Sequence, residues 1–362
     1  MNMDSFAFVI HPIDPKKDVS RKFPLLGKML SPGLIHFFST FFPPVYLAEI
    51  EGISSRASGK RVKGWLVACP LTAAQMLKLP KEVVYRKIVQ TGRLAERLGA
   101  RILGLGAYTS VVGDAGLTVA RRLEVPVTSG DALTVSVAVQ SLSRAAHALE
   151  IPLERAAAAV VGATGAIGRA AADLLAEQVK ELILIGRSEA HLEALKAALL
   201  SNGAQARLST STELSVLSKA QLILSATSAP HAIIQPEHLL PGSVVCDVAM
   251  PRDVSRKITA RRKDVLVIDG GIVDVPGSAD FHFDFGLPPG KAYACMAETM
   301  ALALDGRFED YTLGRDISAA RVREITTIAE KHGFRLSGFR SFEKTVTAEH
   351  IKQIRQVAYL NL

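Results

Sequence analysis

The chain has 362 residues, of which 48% are hydrophobic and 22% charged, with a formal net charge of +8. These values are ordinary for a soluble globular protein of about two domains, with ample length for a sizeable core. Three scattered cysteines exclude a disulfide framework and a Cys/His zinc site, so no metal is expected, and free thiols indicate a reducing, cytoplasmic setting. The opening "MNMDSFAFVIHP" lacks the basic start and long apolar run of a signal peptide. The longest apolar run, "GLIHFFSTFFPPVYLAEI", is broken by His36, Ser39, Thr40, Pro43 and Pro44, too often to span a bilayer. It reads first as a core-packing segment, with contact to a membrane surface or the wrapping of an acyl chain as alternatives.

Residues 1–130 read as an α/β region. "GKRVKGWLVACPLT" alternates as a strand does and ends at a proline. "PKEVVYRKIVQTGRLAERLGA" has helical spacing, with Val83, Ile88, Leu94 and Leu98 along one stripe and Gly99 at the C-cap position. "RILGLGAYTSVVGDAG" is a buried strand running into a glycine-rich loop, and residues 131–149 form a helix leading onward. From about residue 156 short β-branched strands alternate with helices: "AAAVVG", "ELILIG", "QLILSATS", "SVVCDVA" and "VLVIDGG" are the strands. That alternation predicts a Rossmann-like, doubly wound parallel sheet over 131–287, following an N-terminal α/β substrate domain. Residues 288–362 read as a C-terminal helical segment, including "YACMAETMALALDG" and "SAARVREITTIAEKHGF".

"VVGATGAIGRA" places Gly162, Gly165 and Gly168 between a predicted strand and a predicted helix. In that context the pattern points to a dinucleotide: Gly162 turns the chain, Gly165 lets backbone approach a pyrophosphate, and Gly168 lets helix and strand pack closely. Thr164, Ala166 and Ile167 belong to the same loop and helix start, where amides face the phosphate charge. After the second strand, where an NAD enzyme carries an acid, stand Gly186, Arg187 and Ser188; Glu189 lies too far into the next loop. An arginine and a hydroxyl suit a 2′-phosphate, so NADPH is the expected cofactor. Ala226 and Thr227 in "SATSAP", and Gly270 and Gly271 in "GGIV", fall where strand ends line the cofactor.

Of the three thiols, Cys246 lies inside a central strand and Cys69 at a strand end, both positions that read as core. Cys295 opens a helix, where amide dipoles lower a thiol's pKa and Lys291 adds positive charge nearby. Composition alone leaves a packing role for it equally open. The basic clusters at 16–17, 121–122, 256–257 and 261–263 favour an acidic partner, which is a carrier protein, an anionic membrane face or, least of all, nucleic acid. No RNA- or DNA-binding motif accompanies them, so no nucleic acid is expected; a solvated basic face without a partner is the plain alternative.

Taken together, "VVGATGAIG", "LILIGR", "VIDGGIV", "FDF", "ACMAETM" and "HGF", with "DVSRK" and "LGAYTSVV" further upstream, resemble the long-chain acyl-[acyl-carrier-protein] reductases along almost the whole chain. The resemblance implies reduction of a fatty acyl thioester, on acyl carrier protein or coenzyme A, to an aldehyde with NADPH, through an acyl group held on Cys295. It also implies a place in alkane biosynthesis and an aldehyde-consuming partner enzyme. His282 and Glu298 are the nearest acid/base candidates by sequence, and Tyr108, Thr109 and Ser110 offer hydroxyls. The stretch "VDVPGSADFHFDFGLPPG" and the segment "TSGDALTV" depart from the family pattern, which leaves chain length and carrier open. "DVAMPRDV" is similar to a segment of glutamyl-tRNA reductases. A dehydrogenase of the shikimate or glutamyl-tRNA reductase type, or a non-enzymatic NADPH-sensing protein, are the competing readings.

Overall fold

A computed structural model describes residues 3–360. The chain forms two units, each built on its own six-stranded sheet. The first takes the chain up to Leu133 with Val273–Arg315 and Glu324–Arg335; the second takes Thr134–Ile272, Asp316–Arg323 and the chain from Leu336 onward.

In the first unit, β1 (Ser5–Ile10), β3 (Arg61–Ala68), β4 (Leu103–Leu105) and β5 (Val127–Thr128) run parallel. β2 (Val45–Ser54) lies antiparallel beside β3, and strand Gly277–Asp280 closes the edge beyond β2. Spatially, β3, β1, β4 and β5 follow one another across the sheet, so chain order reverses direction beside β1. Both faces are sealed, as a largely parallel sheet requires: Phe6 and Phe8 are buried on one, Ala7 and Val9 on the other. Helix Lys81–Leu98 covers the Ala7 face with Val84, Ile88 and Ala95, and ends at a left-handed Gly99 as its sequence predicts. Helix Ala294–Asp305 lies on the Phe8 face, where Gly104 leaves room for Thr299. Between β1 and β2 come three short helices, α1 (Pro15–Lys22), α2 (Pro24–Met29) and α3 (Pro32–Ser39), with α4 (Ala73–Lys78) following β3.

The second unit is the predicted parallel sheet. Its strands β6 (Ala157–Val161), β7 (Glu181–Ile185), β8 (Arg207–Ser211), β9 (Leu222–Ser225), β10 (Val244–Asp247) and β11 (Leu266–Asp269) are ordered β11-β10-β9-β6-β7-β8, all parallel. That is the doubly wound dinucleotide-binding order. Ala159, Val161, Ile183, Ile185, Ile223, Val245 and Val267 pack one face of it. β8, "RLSTS", has no sequence counterpart among the expected strands because it is a partly exposed edge without an apolar run.

The boundaries differ from the expected 1–130, 131–287 and 288–362. Helix Asp131–Ala148 begins in the first unit and continues into the second, and the chain returns to the first at Val273. The return strand, "GSAD", buries only Ala279, so nothing in its pattern announces it. The helix carrying Cys295 therefore belongs to the first unit rather than to a separate C-terminal segment. The hairpin Arg340–Thr345 also packs on the second unit: Asp269 accepts the N–H groups of Phe342 and Glu343 at 3.1 Å, tying it to the end of β11.

Candidate active-site residues in the two units

In the second unit the glycine loop joins β6 to helix Ala166–Ala176. Gly162 has φ +82°, and a Cβ there would lie 2.5 Å from the Ala226 carbonyl oxygen; one at Gly168 would lie 2.2 Å from the Gly162 oxygen. Only glycine fits either position. Thr164 and Gly165 are exposed, Ala166 and Ile167 half-exposed, and Gly165 caps the helix without a side-chain hydrogen bond. The first amides of an eleven-residue helix are thus free of side-chain capping beside an open loop, a cradle that fits a pyrophosphate.

Arg187 is exposed just beyond β7 and forms no ion pair among the described residues. Ser188 has a local task as the N-cap of helix Glu189–Ser201, accepting the His191 N–H. Thr227 differs from expectation. Its hydroxyl and its N–H both donate to Asp253, at 2.5 and 2.9 Å, and Ser225 donates to the same carboxylate at 2.7 Å. Thr227 and Ala226 therefore wall the loop at Gly162 with backbone and a methyl group, not with a spare hydroxyl. Asp253, wholly buried, and Asp247, pushed up to about 7 by burial and then by Asp253, are the acids of "DVAMPRDV". Their work is to brace the ends of β9 and β10. Gly270 serves packing as well: a Cβ would meet the Cys246 sulfur at 2.8 Å, while Gly271 is buried with φ +80°.

In the first unit the polar groups gather at the carboxyl ends of the parallel strands, where open α/β sheets place ligands. After β1 stands His11, buried, its Nε2 accepting the Tyr108 N–H at 3.0 Å and its Nδ1 donating to the Pro12 oxygen. Burial depresses it to about 4, so it is neutral at physiological pH. After β4, Ala107 holds φ 48° and ψ −127°, a strained conformation for a residue with a side chain. Thr109 and Ser110 spend their hydroxyls on the Gly106 and Ala107 oxygens, both at 2.7 Å. After β5 come Ser129, Gly130 and Asp131.

Cys295 is there too. It is the second residue of helix Ala294–Asp305, as the sequence predicts, and Gly130 (φ +75°) lies so close that a Cβ on it would be 2.3 Å from the Cys295 Cα. Cys69 and Cys246 are fully buried residues, whereas Cys295 is half-buried as a residue. Its thiol is nevertheless pushed up to about 12, by desolvation first and then by the Asp131 carboxylate. The amides of the first turn do favour the thiolate, as expected, but Asp131, Glu298 and burial outweigh them. Lys291 does not help, because it is ion-paired to Asp274. Asp131 itself is raised to about 7 by burial and by Glu298, with Ser129 opposing.

The two expected acid/base residues are placed otherwise. Glu298 is fully buried and accepts from Thr128 Oγ1 (2.5 Å), Thr312 Oγ1 (2.7 Å) and the Leu133 N–H (2.8 Å). Leu133 is in the first turn of helix Asp131–Ala148, so a buried carboxylate sits at a helix N-terminus and staples three segments together. His282 is exposed, φ 45°, between Glu51 and Asp280 beside the Gly277–Asp280 strand. That is one edge of the sheet, and β5 with Cys295 is the other. His282 is therefore removed from the thiol. Asp131, which sequence reasoning passed over inside "TSGDALTV", is the carboxylate next to it.

Comparison with known proteins follows the same division. Residues 143–270, all within the second unit, match the model of the shikimate / quinate 5-dehydrogenase family. The chain is similar to a reductase along most of its length. It is 27% identical over 337 residues to a long-chain acyl-[acyl-carrier-protein] reductase of Synechococcus elongatus, covering 89% of this chain and 95% of that one. It is 33% identical over 303 residues to the aminotransferase PigE of a Serratia species, covering 83% of this chain but only 35% of PigE. A glutamyl-tRNA reductase of Actinobacillus succinogenes is 29% identical over 206 residues, 53% of this chain and 46% of that protein. Among the described residues no group of three or more His, Cys, Asp or Glu is placed to hold a metal ion.

Proposed function

We propose that this chain reduces a fatty acyl thioester to the aldehyde with NADPH, through an acyl group carried on Cys295. The observation that carries the reading is the pairing of the one cysteine that is not a fully buried residue with a carboxylate, Asp131, whose proton affinity is matched to neutral pH. The similarity to an acyl-[acyl-carrier-protein] reductase over 89% of the chain supports the substrate class.

A thiol raised to about 12 is not a preformed thiolate, so attack needs a base at the moment of reaction. Asp131 supplies it: ionised, it takes the thiol proton as sulfur attacks the acyl carbon, then passes that proton to the departing carrier thiol and is left ionised again. First-turn amides of helix Ala294–Asp305 hold the oxyanion that forms at that carbon. The bound dinucleotide supplies the hydride that reduces the acyl group. As the aldehyde leaves, Asp131, reprotonated from solvent, gives that second proton to the sulfur, so that each cycle consumes one solvent proton and restores both the thiol and the carboxylate. Cofactor binding falls to the loop Gly162–Gly168, with Arg187 for the 2′-phosphate and Ala226 and Thr227 as its wall.

The test mixes the protein with NADPH and long-chain acyl thioesters of carrier protein and of coenzyme A, following NADPH oxidation and aldehyde together. Radiolabelled acyl groups should remain on the wild-type protein in the absence of NADPH and be missing from Cys295→Ala. Aldehyde formation by Cys295→Ala at the wild-type rate sinks the covalent route. The match of 143–270 to a dehydrogenase family favours a second reading, oxidation of a small alcohol without a covalent step. That reaction would be indifferent to alkylation of Cys295.

A further inference from the structure

The cluster α1–α3 inverts the usual arrangement of a surface helix. The inward side of α3 is largely polar: His36 Nδ1 bonds Thr72 Oγ1 at 3.0 Å, Ser39 Oγ donates to Gln75 Oε1 at 2.8 Å, and Gln75 Nε2 donates to the His36 oxygen and to Thr40 Oγ1, both at 2.6 Å. Of its apolar side chains only Ile35 is buried. Leu34, Phe37, Phe38 and Phe41 face outward, Phe37 60% and Phe41 72% exposed, with Phe37 stacked edge-to-face on both of the other two rings. Leu25 and Met29 of α2 extend the apolar surface, at 75% and 80% exposed. The core-packing expectation for this run thus holds for Ile35, Leu47, Ala48 and Ile50, which are buried, but not for the exposed phenylalanines. Polar anchoring to α4 fixes the display of greasy side chains instead of burying them.

The same segment is strongly basic. Lys16, Lys17 and Lys28 are exposed and form no ion pair among the described residues. Asp18, the single acid between residues 15 and 42, is already bound to Arg21 and to the N–H groups of residues 13 and 14. Exposed apolar side chains on α2 and α3, helices that pack on the lysine-bearing α1, have the chemistry of an interfacial anchor: rings and aliphatic chains enter the headgroup boundary while ammonium groups meet lipid phosphates. A second copy of this chain would oppose the same lysines to each other.

We propose that residues 15–42 seat the protein on an anionic lipid bilayer, with Phe37, Phe38 and Phe41 inserted and Lys16, Lys17 and Lys28 on the headgroups. No membrane-crossing helix is needed, and none of the described helices is long and apolar enough to be one. The proposal is independent of the reaction proposed above.

The experiment sediments the full chain with phosphatidylcholine vesicles, with or without phosphatidylglycerol. Wild type should pellet with the anionic vesicles and much less with the neutral ones. Phe37→Ser/Phe38→Ser/Phe41→Ser should weaken binding by about tenfold or more, and Lys16→Glu/Lys17→Glu/Lys28→Glu should abolish the preference for anionic lipid. Unchanged melting curves would show that both variants fold, the altered side chains being exposed. Wild-type protein that stays in the supernatant, or a triple-serine variant that pellets as well as wild type, overturns the proposal. So does a dimer in solution that the triple-serine substitution dissolves, which would make the face a self-association surface.

Discussion

Asp131 raises the proton affinity of the Cys295 thiol, while its own is raised by burial and by Glu298. In the unfolded chain Asp131 titrates near its ordinary 3.8, whereas in the folded protein it holds its proton to about 7. Below pH 4 the carboxyl is neutral in both states and costs nothing. Between about pH 4 and 7 the unfolded chain gives up the proton first, so stability falls as pH rises and levels off above 7. Asp131→Asn should therefore stabilise the protein by a margin that grows across that window, to as much as roughly 4 kcal/mol at neutral pH, seen in denaturant melts at several pH values. The same change removes a negative charge from beside the thiol, so the pH midpoint for alkylation of Cys295 by iodoacetamide should move down from about 12. Cys69 and Cys246 are sealed in the two cores, so alkylation reports on Cys295 alone. Aldehyde formation should fall by about a hundredfold or more, because the base is gone. A thiol that ionises more easily in an enzyme that turns over more slowly is the signature of Asp131 as the acid/base group; wild-type turnover in Asp131→Asn would remove it from the reaction.

At the scale of elements, the candidate site depends on Glu298 stapling β5, the start of helix Asp131–Ala148 and the Thr312 segment. Glu298→Ala strands two buried hydroxyls and an amide, which should cost about 3–5 kcal/mol and lower the melting temperature by roughly 10 °C. Gly130→Ala should act on the same junction from the other side, forcing a methyl group onto the Cys295 backbone at positive φ. The expected result is a lower melting temperature together with slower acylation of Cys295. How legible all this is depends on how local the signal is. The strands and helices of the second unit, and its glycine loop, follow from apolar period and from conformations that only glycine adopts. The position of Cys295 at a helix start is equally local. Its partners are not: Asp131 lies 164 positions earlier and meets it only because the turn after β5, at Gly130, lies against the start of helix Ala294–Asp305. His282 and Glu298 were candidates by nearness along the chain, and that nearness placed one at the opposite edge and the other in the core. The Phe-rich run misleads for a different reason. Hydrophobicity predicts burial unless polar anchors, here Thr72 and Gln75, turn the apolar face outward.

On the scale of the whole molecule, the chain builds two sheets with separate cores and leaves one set of candidate groups on each. The thiol, its carboxylate and the stapling Glu298 all lie in the first unit; the glycine loop, Arg187 and the braced Thr227 all lie in the second. Binding and acyl chemistry should therefore be separable by mutation. Gly168→Ala drives a methyl group to 2.2 Å from the Gly162 oxygen and should weaken NADPH binding by about tenfold or more, seen as lost enhancement of NADPH fluorescence. Cys295 should still take up a radiolabelled acyl group in that variant at close to the wild-type rate. Cys295→Ala should do the reverse, binding NADPH normally while accepting no label. Arg187→Ala should narrow the preference for NADPH over NADH by roughly ten- to a hundredfold, through the 2′-phosphate alone. Mixing the Gly168→Ala and Cys295→Ala proteins asks whether the two functions must sit in one chain. No recovery of aldehyde formation is expected if each catalytic cycle uses the loop and the thiol of a single molecule, and recovered turnover would place a second copy in the reaction.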